Sequence, residues 1–412
     1  MGHYINPSPG NFKMCLNSKI HIDKTNLIAE TNHLLGSEKS FVSISRPRRF
    51  GKTMSANMVA AYYGKENTQA LFDNMNIAKH QSYKKHLNKY NVIMVRMTEF
   101  LSITGNVIEM LGLLRYYLTK ELKDLLGNSF RSIKFFSKKK QVDTEDFIQL
   151  MKDTYRRTKC PFVIVIDQGD CVVRECRNNV DDHKLYLDFL NSWLKDQSYI
   201  GLVYMIGVLP IKKYGSHSAL RMFDEYSMTK PGQFLNYFGF TETEVEELVA
   251  EYEVDMDKVN KWYNGYFAEL GTSIFNPISI TRCLNRGSFY GYWNRTETHE
   301  ALQCYFILNF ADLKEKVVLM LAGESVAVET ENFSNDMTTF NSADDVLTLL
   351  VHLGYLTYDF EESTVRIPNG EVKNEFIMCI EGLDDWRSVM DKVRKPQRLS
   401  RYIWSKEIYL NP

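Results

Sequence analysis

Four short apolar runs constrain this chain more than anything else in it: SFVSIS at 40–45, NVIMVRM at 91–97, PFVIVID at 161–167 and IGLVYMIGV at 200–208. They are short stretches rich in apolar and β-branched residues, and the last three are nearly continuous in them. Runs of this kind are strands buried on both faces, as in a parallel sheet covered by helices. Between them lie helical segments, 54–63 and 107–126 among them. Strand alternating with helix through the first ~230 residues predicts an α/β layer fold.

After PGQF at 231–234 the pattern changes. TETEVEELVAEY opens with Thr241 and Glu244 at the spacing of a capping box, in which each side chain satisfies the other residue's backbone amide. A turn-rich stretch over 262–277 follows, then helical segments around 278–285, 296–307 and 311–321. DDVLTLLVHLGYLTYDFEESTVRIPN reads as a helix running into a β-hairpin, with Glu361, Glu362 and Ser363 at the turn. The expected organisation is an α/β domain over 1–235, a helical domain over 236–340, a winged-helix-like module over 341–378 and a tail over 379–412.

The loop after the first run, RPRRFGKT at 46–53, is almost a phosphate-binding loop of the form GxxxxGK(S/T). Gly51, Lys52 and Thr53 are in place, and Arg46 stands where the first glycine belongs. Such a loop works because backbone N–H groups wrap phosphate at the start of a helix, whose dipole also favours negative charge. The strand before it and the helix after it supply that setting. The fold class expected is therefore an α/β P-loop NTPase with a parallel sheet. Lys52 would reach the outer phosphates and Thr53 would hold Mg²⁺. Pro47 would stiffen the loop, and Arg46, Arg48 and Arg49 would add positive charge. The candidate nucleotide-binding residues are Arg46, Pro47, Arg48, Arg49, Phe50, Gly51, Lys52, Thr53 and Met54, with ATP and Mg²⁺ as cofactors. The plain alternative is a solvent-exposed basic turn.

The second half of such a site is an acidic residue ending a neighbouring strand. VIVID supplies Asp167, which with Thr53 makes the candidate metal pair. In ATPases that polarise water a glutamate follows this aspartate, and here the position is Gln168. Glutamine keeps the shape but accepts no proton, which removes a general-base contribution of roughly 10²–10⁴-fold. Asp170, two residues on, is the substitute candidate. The candidate catalytic residues are thus Lys52, Asp167, Gln168 and Asp170. The expected function is ATP binding with weak or absent hydrolysis. Two alternatives stay open: an active ATPase using Asp170 as base, and a scaffold that ignores nucleotide.

These motifs resemble the bacterial AAA-ATPase-like family whose P-loop reads RPRRFGKT or RPRRFGKS, many members of which end in a PD-(D/E)xK nuclease-like domain. The resemblance runs through YINP at 4–7, HIDKT at 21–25, IDQGDCVVRE at 166–175, LPIKKYGSHSAL at 209–220, WYNGY at 262–266, FNP at 275–277, GYWNRTET at 291–298 and NDMTTFNSADDVLTLLVHLGYL at 335–356. It implies that Arg46 belongs to the family's own loop. Three departures follow from it. The family has Asp-Glu where this chain has Asp167-Gln168, with an aromatic in place of Gly169. It has threonine in place of Ile206. The chain ends at Pro412, about where the nuclease-like domain would begin. An arginine supplied by a neighbouring subunit is also a property of such ATPases, so a protein partner or a second copy is expected.

Charge and composition weigh against other classes without excluding nucleic acid. A formal net charge of -1 writes no global attraction to nucleic acid or anionic membrane into the chain. The hairpin carries Asp359, Glu361 and Glu362 against Arg366, which would repel DNA phosphate. The start of the chain has no basic and apolar leader, and the most apolar stretch, 199–211, is too short to span a bilayer, so a cytoplasmic setting is expected. Seven cysteines lack CxxC spacing, which argues for reduced thiols. Glu371 and Lys373 have the ExK spacing of a nuclease but begin a helix-like stretch. The basic segment 130–143 reads as a solvated loop, and His217 as a surface histidine.

Overall fold

The computed structural model describes residues 2–127, 142–176, 179–211, 220–267, 270–293, 310, 312–331, 333, 340–381 and 386. Most of the basic segment, His217, the expected helix at 296–307 and nearly all of the tail lie outside them. The described residues fall into two compact units: Met1–Arg46 with Gly51–Tyr237, and Pro47–Phe50 with those from Phe238 onward.

The first unit is built on a parallel sheet of five strands in the order β2-β3-β4-β1-β5. These are β1 (Phe41–Ser45), β2 (Asn91–Arg96), β3 (Phe162–Asp167), β4 (Ile200–Gly207) and β5 (Asp224–Tyr226). All four apolar runs are strands, and β3 is buried along its whole length. Each fully buried Val or Ile contributes about 1.5–3 kcal/mol relative to exposure, which is why the runs seek the sheet centre. Helices Lys52–Tyr63, Val107–Leu126 and Val180–Leu194 belong to this unit, the last burying Trp193 completely. β4 lies between β1 and β3, so the loop strand and the aspartate strand are not neighbours. In register, Ile206 of β4 faces Asp167 on one side and Ile44 on the other.

The free side of β2 is covered by the chain's own start. Asn6 N–H donates to Val92 O (2.8 Å) and Met94 N–H to Tyr4 O (2.8 Å). The Glu121 carboxylate accepts the N–H groups of His3 (2.9 Å), Tyr4 (3.0 Å) and Ile5 (2.7 Å), which fixes this segment to the helix Val107–Leu126.

In the second unit the capping box is formed: Thr241 N–H donates to Glu244 Oε2 (2.8 Å) and Glu244 N–H to Thr241 Oγ1 (3.4 Å), opening the helix Glu242–Glu251. A two-stranded ladder pairs β6 (Phe240–Thr241) with β7 (Ile274–Phe275). The helix Met256–Tyr263 runs into the expected turn-rich stretch, and Pro277–Arg286 follows it. Ala343–Leu353 leads into the hairpin β9 (Thr357–Asp359) and β10 (Thr364–Arg366), whose turn Asp359 closes by accepting from Glu361 N–H (2.9 Å) and Glu362 N–H (3.0 Å). A short strand β8 (Val326–Ala327) joins the hairpin to give the order β8-β10-β9. Gly370–Glu381 is a helix, so Glu371 and Lys373 occupy a helical turn and not a nuclease strand end. Among the described residues no helix is long and apolar enough to cross a membrane, and no disulfide forms.

Candidate functional site

The helix Lys52–Tyr63 starts directly at the loop, with Gly51 as its N-cap in the left-handed region at φ +86°. A side chain would be strained there, and a Cβ on Gly51 would meet nothing within 4 Å among the described residues. Among the described residues there is thus open space beside Gly51, at the helix N-terminus where phosphate would bind. Lys52 is 9% exposed and donates from Nζ to Arg46 O at 2.8 Å, which folds its amine back over the loop. Arg48 and Arg49 are exposed.

Arg46 behaves differently from the expected loop cation. It is fully buried, and its Nη1 donates to Ser45 O (2.8 Å) and to Tyr226 O of β5 (3.1 Å). Its own N–H continues the ladder by donating to Gly207 O at 3.1 Å. Burial pulls the guanidinium down to about 9, still charged at neutral pH. Arg46 thus ties β1 to β5 and adds no solvent-facing charge to the loop.

At the acidic end, Thr53 Oγ1 donates to Asp167 Oδ2 at 3.0 Å. The sheet brings the two expected metal residues together across the inserted strand. Arg96 Nε donates to the same oxygen at 3.2 Å, because β2 and β3 end level, Arg96 against Asp167. Asp167 is 1% exposed, and its Oδ1 is buried with no partner among the described residues. A buried carboxylate oxygen left without a donor is costly, and next to a threonine hydroxyl it fits a divalent cation. Among the described residues no group of three or more His, Cys, Asp or Glu could cage a metal. Mg²⁺ is commonly bound through one or two carboxylates together with substrate phosphates, and Asp167 is one such carboxylate.

Gln168 lies just past the strand at φ +58°, unusual for a residue with a side chain. Its Oε1 accepts a hydrogen bond from the Thr98 hydroxyl. Asp170 is placed elsewhere: its Oδ2 accepts from Val208 N–H (3.1 Å), Leu209 N–H (3.0 Å) and Arg174 Nη1 (3.2 Å). Where the resemblance implies an aromatic, a Cβ on Gly169 would lie 2.5 Å from Met205 Sδ, so the methionine side chain fills that space. Ile206 is fully buried. The arrangement brings together Gly51, Lys52, Thr53 and Asp167, while Pro47, Arg48, Arg49 and Phe50 pack within the second unit. Arg96, Thr98 and Arg174 complete the picture, and the sequence motifs did not single them out.

The family model described as Predicted AAA-ATPase matches residues 11–216, half of the chain. No curated protein matches it. Among solved structures the chain is similar to the Aeropyrum pernix ORC2 protein (ADPNP-ADP complexes), with TM-score 0.39 and 10% identity over 92% of this chain and 97% of that one. It is also similar to a DNA replication initiation factor, with TM-score 0.29 and 10% identity over 94% and 98%. A third likeness is to the Aeropyrum pernix ORC1 protein in complex with DNA, with TM-score 0.29 and 11% identity over 86% and 91%. All three scores are low, and none bears on substrate or partner. The matched span contains the whole loop 46–53 and the stretch 166–175 with Asp167, and the chain belongs to the AAA-ATPase-like family.

Proposed function

We propose that the chain binds ATP with Mg²⁺ at Gly51, Lys52, Thr53 and Asp167 and works as a nucleotide-dependent switch with weak or absent hydrolysis. The loop amides and Lys52 would hold the phosphates, and Thr53 with Asp167 would hold the metal. Mg²⁺ in such a site supplies neutralisation of charge on the phosphate oxygens. Arg96 balances Asp167 in the meantime, and its half-exposed side chain is free to release the carboxylate. Asp170 acts in this reading as an anchor for the loop after β4, with its carboxylate engaged by Arg174 and two amides. The helical and winged-helix-like parts, over 236–340 and 341–378, would respond to nucleotide and pass the change to a protein partner or a second copy. A cytoplasmic setting is part of the same reading.

One observation carries the weak-hydrolysis claim. Gln168 occupies the position next to Asp167, and its carbonyl oxygen is bound by Thr98, so no proton acceptor stands there. The test is a thermal shift with ATP and Mg²⁺, followed by steady-state phosphate release. ATP raises the melting temperature of the parent, and Lys52→Ala abolishes the rise. Phosphate release is slow in the parent, recovers partly in Gln168→Glu and recovers further when Ile206→Thr is added. Fast turnover in the parent, unaffected at Gln168 and lost in an Asp170→Asn variant that is still folded, overturns the weak-hydrolysis reading in favour of an active ATPase. No thermal shift at millimolar ATP sinks the nucleotide reading itself.

A further inference from the structure

The phosphate-binding loop has an unusual division. Its ends, Arg46 and Gly51–Thr53, pack within the first unit, whereas its tip Pro47–Phe50 packs within the second. A small set of residues meets that tip. Trp293 Nε1 donates to Arg48 O at 3.4 Å. Phe50 meets the Tyr266 ring edge to face, with centroids 5.4 Å apart. Gly239 N–H donates to Phe50 O at 3.1 Å. Pro47 lies so near Gly354 that a Cβ there would stand 2.7 Å from the proline ring, and Gly354 also holds φ +87°.

These contacts are themselves fixed. Tyr266 Oη donates to Gly354 O at 2.6 Å, and the Trp293 ring packs on Tyr355 with centroids 5.0 Å apart. The backbone at Trp293 is pinned by Glu371, a fully enclosed carboxylate with no other role in the site. Its Oε1 accepts from the N–H groups of Tyr292 and Trp293, the latter at 2.8 Å, and its Oε2 accepts from the Ser279 hydroxyl at 2.7 Å. A line of contact therefore runs from Glu371 through Trp293 to the carbonyl of Arg48, three residues before Gly51.

We propose that Trp293, held by Glu371, is a positioning residue for the phosphate-binding loop: with Tyr266 and Gly354 it fixes the tip Pro47–Phe50, and through the tip it fixes the backbone amides offered to nucleotide. This rests on the reading of the loop as an ATP site, but the positioning itself is a property of the loop without ligand. The chemistry also separates the roles of charge and shape at residue 371. Glutamine there keeps a carbonyl oxygen for both amides and gives Ser279 a donor, so it preserves the clamp, whereas alanine removes it.

Two measurements on the full chain test this. Hydrogen exchange without nucleotide reads the amides of residues 48–51 directly. Trp293→Ala and Glu371→Ala accelerate exchange there at least tenfold while β3 stays protected, and Glu371→Gln leaves it at the parent rate. A fluorescent ATP analogue with Mg²⁺ then reads affinity, which falls about fivefold in Trp293→Phe, the fold-change of one net hydrogen bond. It falls further in Glu371→Ala and is retained in Glu371→Gln. Unchanged exchange at 48–51 in Glu371→Ala, with β3 still protected, overturns the proposal. So does equal acceleration in the alanine and glutamine variants, which would make the carboxylate's role one of general stability. If the parent fails to bind the analogue, the ATP reading falls while the exchange pattern still decides the positioning.

Discussion

The two units solve the same local problem with different electrostatics. In the first, Asp170 gathers two successive amides, Val208 and Leu209, and thereby fixes the loop leaving β4. In the second, Glu371 gathers Tyr292 and Trp293 in the same manner. Asp170 has a cation beside it, Arg174, whose side chain is only 10% exposed. Glu371 makes no ion pair among the described residues. Its titratable neighbours are Glu375, Tyr263, Tyr266 and Cys283. Burial pushes Glu371 up to about 7, against the pull of Ser279 and the two amides. Pinning a pair of amides needs an acceptor oxygen and not a charge. The charge matters only where a buried cation depends on it.

The largest effect that would break this contrast lies at Asp170. Asp170→Asn retains an oxygen for the two amides but leaves Arg174 buried without its main counter-charge. Breaking such a pair costs roughly 3–5 kcal/mol, with the low end expected because Glu175 still meets Arg174 at 3.0 Å. Denaturant unfolding measures it, and a loss under about 1 kcal/mol would show that the two clamps do not differ.

The next effect has the opposite sign. An acid whose folded pKa lies above its unfolded value binds more protons when folded, so stability falls as pH rises between the two values and is level above them. For Glu371 the window runs from the ordinary 4.5 to about 7, and the loss across it is on the order of 3 kcal/mol. Glu371→Gln removes this part of the pH dependence and is more stable than the parent at pH 8. Parent and variant unfolding curves at pH 5 and pH 8 decide the point. A glutamine variant less stable at pH 8 would mean that the clamp needs its charge after all.

The smallest change sharpens the comparison. Ser279 is fully buried and its hydroxyl favours the ionised form of Glu371. Ser279→Ala costs about 1 kcal/mol and raises only the upper end of the pH window, the lower end being set by the unfolded chain, so the stability lost between pH 5 and pH 8 in the same pair of unfolding series grows.

How much of this was legible follows from the range of each signal. The strands β1 to β4 could be read because burial on both faces leaves a local apolar run. β5 could not, since Asp224–Tyr226 is three polar or half-polar residues that become a strand only by pairing with β1. Lys52, Thr53 and Asp167 were legible because their spacing carries chemistry. Arg96 was not, although it lies in one of the four runs, because its place opposite Asp167 depends on which strands are neighbours. Arg46 was read as a loop cation for a similar reason: the Tyr226 carbonyl that accepts from it lies 180 positions along the chain. The packing of Pro47–Phe50 with residues beyond Phe238 is likewise invisible to any local pattern.

The covered side of β2 has a consequence of another kind. A sheet margin with unpaired amides is a template on which a second molecule can add its own strand, and repeated addition gives fibrous aggregates. Here Tyr4 and Asn6 take the hydrogen bonds of Val92 and Met94, and the opposite margin is β5, only three residues long. The first half-dozen residues therefore act as a guard against self-assembly. A protease cut just after them would leave every residue of the proposed nucleotide site in place and still convert the chain into one prone to clump.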